Sequence, residues 1–157
     1  MIRRGSVSQC ATRTGSSLAR ASCSHGTIFH RKDPGFVFQG GGYAAPLAAD
    51  QNPVLKTTPY PAIPLEVKVS NVRGTVAMAR TNLPNSATSQ FFINLADNQA
   101  LDYINGGYAA FGYITDMSFV AEMSQAPCVA SVVTDGTYYG CLPVPNLMIV
   151  SAEQTRP

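Results

Sequence analysis

The chain has 157 residues, of which 45% are hydrophobic and 13% charged, with a net charge of +2. That length makes one domain with a buried core. The charge is too small to direct the chain to nucleic acid, and no run of 18 apolar residues offers a membrane span. The balance is uneven: residues 1–32 hold six of the eleven Lys/Arg and no acid, which leaves the other 125 with five bases and nine acids. Four cysteines (Cys10, Cys23, Cys128, Cys141) are too few and too scattered for a disulfide framework. Cys128 and Cys141 flank one loop and could pair in an oxidising compartment, but the expectation is reduced, buried thiols.

Residues 1–25 are basic, Ser-rich and without helical or strand periodicity. No apolar h-region marks a secretory signal. The composition is that of an organelle transit peptide, and equally what a wrong start or a shifted frame would give; read alone, the segment is expected to be a poorly ordered tail. The domain is expected over 26–157. Two β-type runs follow, Thr27–Arg31 and Phe36–Gln39, joined at the turn signal Pro34-Gly35 and closed by Gly40-Gly41-Gly42, which suits a bend or a close approach. Arg31 sits in this apolar ribbon with no carboxylate beside it in sequence, and taken alone reads as an edge-strand Arg with its head in water. His30 points the opposite way and is expected in the core.

Ala44–Pro64 carries five prolines and reads as a long surface loop. Ile63–Val69 leads into a short strand within Gly74–Arg80, and Thr81–Thr88 is a loop. In Ser89–Leu95, Phe91, Ile93 and Leu95 form one face, assigned to the core. Gln90, Phe92 and Asn94 form the other, with Phe92 expected to be exposed. Asn98–Gly107 reads as a loop and Tyr108–Ile114 as a strand. Asp116–Gln125 reads as a helix, capped by Asp116 or Ser118, with Met117, Val120, Ala121 and Ser124 on one face and Pro127 ending it. Val129–Val133 reads as a strand, Asp135-Gly136 as a turn, and Leu147–Ser151 as a last strand. Many short strands, one helix and no βαβ rhythm predict an all-β barrel or sandwich. No nucleophile, phosphate-loop, dinucleotide or zinc motif is present, and two histidines are too few for a histidine-rich metal site.

The segment F-H-R-x-x-P-G-F-x-x-Q-G-G-G (Phe29–Gly42) closely resembles the catalytic strand of the cyclophilins, the peptidyl-prolyl cis-trans isomerases. Gly74–Arg80 followed by Ser89–Asn94 resembles that family's second signature, and residues from about Gly26 to Gln125 follow the pattern in order. The resemblance implies a mainly β, closed antiparallel barrel with one clear helix. It implies rotation about X–Pro bonds in unfolded or flexible proteins, with no cofactor and no metal. Arg31 would be the donor to the imide, with Phe36, Gln39 and Phe92 completing the catalytic set. Leu101 and Tyr108 would line the proline pocket with Phe36 and Phe92. Met78 would lie at the pocket floor, with Ala79, Arg80 and Thr81 on its rim. Gln90, like Gln39, would bond the peptide or orient Arg31. Since alternation puts Phe36 and Gln39 on opposite faces, a bulge or bend near the glycines is expected.

Several positions depart from the pattern. Ala100 stands where many eukaryotic members have Trp. With Met78–Thr81 and Tyr108 this resembles the bacterial-type branch and implies weak cyclosporin binding. Val37 replaces the frequent Met. Lys32 and Asp33 occupy positions that are usually apolar, where they either reach solvent or strain the turn. Members of the family begin with two strands and a helix that help close the barrel, and residues 1–25 carry no recognisable equivalent. The partners expected are proline-containing polypeptide substrates, with no nucleic acid and no membrane, and the protein is expected to be a monomer. The compartment expected is the cytoplasm, or the periplasm or an organelle if the N-terminus is a targeting segment. The alternative is a proline-peptide binding or chaperone-like module that uses the groove without turnover. A nucleic-acid binder working through residues 1–32 is a distant third.

Overall fold

The computed structural model describes residues 26–44, 53–58, 61–132 and 138–150. The expectations of a poorly ordered 1–25 and of a turn at Asp135-Gly136, and parts of the proline-rich loop, lie outside the described residues. Among the described residues the fold is mainly β with one α-helix. Strand β1 (Thr27–Asp33) and β2 (Val37–Ala44) form the hairpin anticipated around Pro34-Gly35. The turn is closed by a 3.0 Å bond from the Phe36 N–H to the Asp33 carbonyl, with Gly35 at φ +75°. Next come β3 (Val54–Leu55), β4 (Thr75–Met78), β5 (Phe91–Asn94), two 3-10 turns (Gln99–Asp102 and Ile104–Gly106) and β6 (Ala110–Tyr113). Helix α1 (Met117–Ser124), β7 (Cys128–Val132) and β8 (Tyr138–Pro143) complete the series.

The main sheet runs β1-β2-β5-β4-β6, with β3 also on β2 and every pairing antiparallel. On the far side of β1, Leu147–Ile149 add three backbone bonds of 2.7–2.9 Å to Gly26, Thr27 and Phe29. The segment expected as a last strand therefore does extend the sheet. β7 and β8 form a separate hairpin. β8 has no counterpart in the sequence reading, because a strand that contains Gly140 and ends in Pro143 carries little strand signal.

Period-2 alternation sends the two faces of the sheet into two different apolar clusters. Phe29, Phe38, Ile93 and Val120 gather on one side, with Phe91, Leu95, Met117, Met123, Leu147 and Ile149 against them. Val37, Ala77, Phe92, Leu101 and Ala110 gather on the other, with Phe36, Val69, Ala79 and Tyr108. Phe92 is thus 4% exposed rather than open to solvent, because the segment around Val69 and the first 3-10 turn roof its face. His30 is fully buried, edge-on to Tyr43 with ring centroids 4.7 Å apart.

Helix α1 is capped as expected: the Asp116 carboxylate accepts from the Ser118 N–H at 2.9 Å. Val120 is its buried residue, while Met123 packs into the core and Ala121 is exposed, a small rotation of the anticipated face. Lys32 neither reaches solvent freely nor strains the turn. Its Nζ donates to the carbonyls of Ser124 (3.0 Å) and Ala126 (2.7 Å), neutralising the partial negative charge at the helix C-terminus. Cys128 and Cys141 are not free thiols. The β7–β8 pairing brings their Cα atoms to 5.1 Å, inside the range a disulfide spans, and the two are bonded.

Candidate functional site

A pocket of about 120 Å³ opens where β1, the β1–β2 turn, β2, the end of β4 and the first 3-10 turn converge. Arg31, Phe36, Val37, Gln39, Ala79, Arg80, Phe92, Leu101 and Tyr108 line it. Eight of the eleven residues singled out from the sequence meet here. Val37, the additional one, is there because it shares a strand face with Gln39. Phe36 reaches the pocket from the turn that precedes β2, so the opposition of Phe36 and Gln39 does not arise. The pairing of β1 and β2 is nonetheless irregular between Ile28 and Arg31, opposite the glycines.

Three expected residues do not line the pocket. Met78 pairs across the sheet with Phe91, one residue out of phase with the Ala77–Phe92 pair that faces the pocket, and is 3% exposed. Thr81 is exposed, bonded to Ser86. Gln90 stands behind the wall and holds Gln39: the Gln39 Nε2 donates to its Oε1 at 2.9 Å. The triple glycine makes room for it. A Cβ on Gly42 would meet the Gln90 side chain at 2.6 Å, and Gly41, at φ +84°, would meet the Ser89 carbonyl at 2.6 Å. Here the glycines serve close approach, as their cost in backbone entropy suggests.

Arg31 is cross-strand from Gln39 and donates from Nη1 to its Oε1 at 3.4 Å. Its Nη2 donates to Asp33 Oδ2 at 2.8 Å, an ion pair whose side chains are 37% and 42% exposed. Arg31 therefore has a carboxylate partner after all, two residues along the same strand face. Its guanidinium carbon lies 6.0 Å from the Phe36 ring centroid. Arg80 sits across the pocket, 4.3 Å over the Tyr108 ring. It donates to the carbonyls of Thr81 (2.9 Å), Asn105 (3.0 Å), Ile104 and Gly107. Tyr108 in turn meets Phe92 edge-on at 5.8 Å.

Behind the apolar wall runs a buried polar network that sequence reasoning missed. Asn94, fully buried, donates to Asn71 Oδ1 (3.1 Å) and Thr75 Oγ1 (2.8 Å) and accepts from Asn98 Nδ2 (2.8 Å). Asn98 also donates to the Phe36 carbonyl at 2.9 Å, so the network holds the pocket's aromatic turn in place. Asn71 donates to Asp102 Oδ1 (2.8 Å) and to the Tyr108 carbonyl (2.9 Å). Desolvation pushes the Asp102 pKa up, but hydrogen bonds from the Ser70 and Asn71 side chains and the Asn71 N–H outweigh it, and the carboxyl sits below its ordinary value. An Asn in the middle of an apolar strand was the available signal, since buried amides find partners.

Chemically, the arrangement offers a planar, charged donor beside a small cavity at the rim of a sheet. The cavity has apolar walls from Phe36, Val37, Phe92, Leu101 and Tyr108 and polar ones from Gln39 and Arg80. Among the described residues, no group of three or more His, Cys, Asp or Glu could hold a metal ion, and no helix is long and apolar enough to cross a membrane.

Comparison with known proteins agrees with the motifs. The chain is 40% identical to peptidyl-prolyl cis-trans isomerase A of Dickeya dadantii over 131 residues, covering 82% of this chain and 64% of that protein. It is 46% identical to a peptidyl-prolyl cis-trans isomerase of Acinetobacter baylyi over 118 residues, 71% of this chain and 58% of that one. The chain thus spans about three fifths of the length of the curated relatives it matches. A crystal structure of a cyclophilin type peptidyl-prolyl cis-trans isomerase from Cryptosporidium parvum, obtained in the presence of the dipeptide Ala-Pro, shares the fold at a TM-score of 0.61. The sequence identity is 22%, and the match covers 89% of this chain and 82% of that one. The family model for the cyclophilin type peptidyl-prolyl cis-trans isomerase/CLD matches residues 12–153. The chain belongs to the cyclophilin-type peptidyl-prolyl cis-trans isomerase family.

Proposed function

We propose that the chain is a peptidyl-prolyl cis-trans isomerase that accelerates rotation about X–Pro bonds in flexible polypeptides. The observation that carries this reading is the Arg31 guanidinium, bonded to Gln39 at the edge of an apolar pocket walled by Phe36, Phe92, Leu101 and Tyr108. The barrier to rotation, about 18–20 kcal/mol, is amide resonance. A site lowers it by binding the twisted imide better than either planar ground state. The aromatic and aliphatic wall grips the proline ring and excludes water. The guanidinium then donates to the prolyl nitrogen, whose lone pair becomes available only as conjugation breaks. A planar fork fixes that direction, which a lysine ammonium would not. Gln90 keeps Gln39, and through it Arg31, in position before substrate arrives. Ala100, exposed on the first 3-10 turn, presents no ring to a bound ligand, and cyclosporin binding is weak on this reading.

The test is the cis–trans exchange rate of an Ala-Pro peptide by NMR, with the protein and with Arg31→Ala. Loss of a preorganised donor of this kind lowers turnover by about 10²–10³. Catalysis by the parent that disappears in the variant supports the proposal. A folded, soluble protein that shifts the peptide's resonances without speeding exchange would instead make the groove a binding module.

A further inference from the structure

Asp33 stands where the resemblance implies an apolar side chain, and its pairing with Arg31 has a specific geometry. Asp33 follows Arg31 by two residues on β1, so alternation gives them one face. The guanidinium is held at both terminal nitrogens: Nη2 by Asp33 Oδ2 at 2.8 Å, Nη1 by Gln39 Oε1 at 3.4 Å. Gln39 is itself anchored to Gln90. Two of the five N–H groups of the fork are thereby engaged, and its plane is set from two sides. The longer bond is the one to Gln39; the short, charge-assisted one is to Asp33. With both side chains more than a third exposed, the pair does little for stability. What it changes is the freedom of a long, rotamer-rich side chain that has to be oriented before substrate binds.

We propose that Asp33 is a positioning residue for isomerisation: its carboxylate, with Gln39 opposite, pre-sets the Arg31 fork at the pocket edge. The inference rests on the isomerase reading above, and the experiment separates the two. Asp33→Ala and Asp33→Asn are compared with the parent by two readouts. The first is the rate of rotation about the Arg31 guanidinium C–N bonds, measured on its ¹⁵N-labelled side chain without any peptide. The second is the catalysed exchange rate of an Ala-Pro peptide, resolved into kcat and KM.

Rotation several-fold faster in Asp33→Ala, with kcat down roughly fivefold to tenfold and KM little changed, is the expected result. Asp33→Asn, which keeps an acceptor without the charge, falls between. Unfolding midpoints equal to the parent's are expected and exclude a merely structural effect. Unchanged rotation, or catalysis that is unaffected or faster in Asp33→Ala, overturns the proposal; a faster enzyme would mean that the carboxylate competes with substrate for the fork. A parent without catalysis removes the isomerase reading. The rotation measurement still decides whether Asp33 holds Arg31.

Discussion

Replacing Asn94 by Ala tests the buried network with a magnitude that follows from its bonds. The side chain is fully buried and makes three hydrogen bonds among the described residues. Their loss is unequal. Asn71 Oδ1 loses its only described donor, and a buried acceptor left unpaired costs about 1–3 kcal/mol. Thr75 Oγ1 still donates to the Val72 carbonyl, and Asn98 Nδ2 still reaches the Phe36 carbonyl. Each therefore loses one ordinary bond of about 1 kcal/mol. The sum is about 3–5 kcal/mol. Urea unfolding with a slope of about 2 kcal/mol/M would move its midpoint down by about 2 M at unchanged slope. On the isomerase reading, peptide exchange should slow as well, because Asn98 is then a weaker anchor for Phe36. A midpoint shift under about 0.5 M would refute the reasoning, since it would mean that the partners find replacements at no cost.

Three further outcomes are expected. Lys32→Met removes both bonds to the end of α1, at a cost of about 1 kcal/mol for a half-exposed charged donor, and lowers Tm by about 2–4 °C; an unchanged melting curve would show the contact to be idle. Reducing Cys128–Cys141, which are 13 residues apart, restores loop entropy to the unfolded chain and costs about 3 kcal/mol, read as a drop in Tm on adding a thiol reductant. Asp102 titrates lower in the folded protein than in the unfolded one, so its contribution is full above the ordinary carboxylate pKa, about 4, and is lost as pH falls through the depressed folded value. Urea midpoints of Asp102→Asn should therefore decline less steeply with acid than the parent's; parallel declines would exclude Asp102 as a source of that slope.

Much of the site was legible because it is written locally. Arg31, Phe36 and Gln39 lie within nine residues, and alternation along β5 correctly separated Phe92 from Ile93. What alternation alone does not give is the roof: Phe92 read as exposed because the segments that cover it come from elsewhere in the chain. The same holds for the network. Asn71, Asn94, Asn98 and Asp102 meet only through tertiary folding, so no spacing announces them. Lys32 and Asp33 were visible as misplaced charges, but their partners split by strand face, one to the helix end and one to Arg31. Met78 shows the opposite limit, since one residue of phase decides between pocket and core.

Among the described residues, the side-chain hydrogen bonds by which Arg80 fastens the loop beside the pocket all go to carbonyl oxygens, those of Thr81, Ile104, Asn105 and Gly107. A latch that grips backbone is indifferent to the letters it grips. Ile104 and Asn105 are exposed and could be exchanged, with Gly or Asn preferred at 105 for its φ of 55°. Gly107 is the exception, because a Cβ there would meet the Asp102 carbonyl at 2.5 Å. On the isomerase reading proposed above, the loop is thus a place where the surface beside the pocket can be rewritten, by evolution or by design, while the wall behind it keeps its shape.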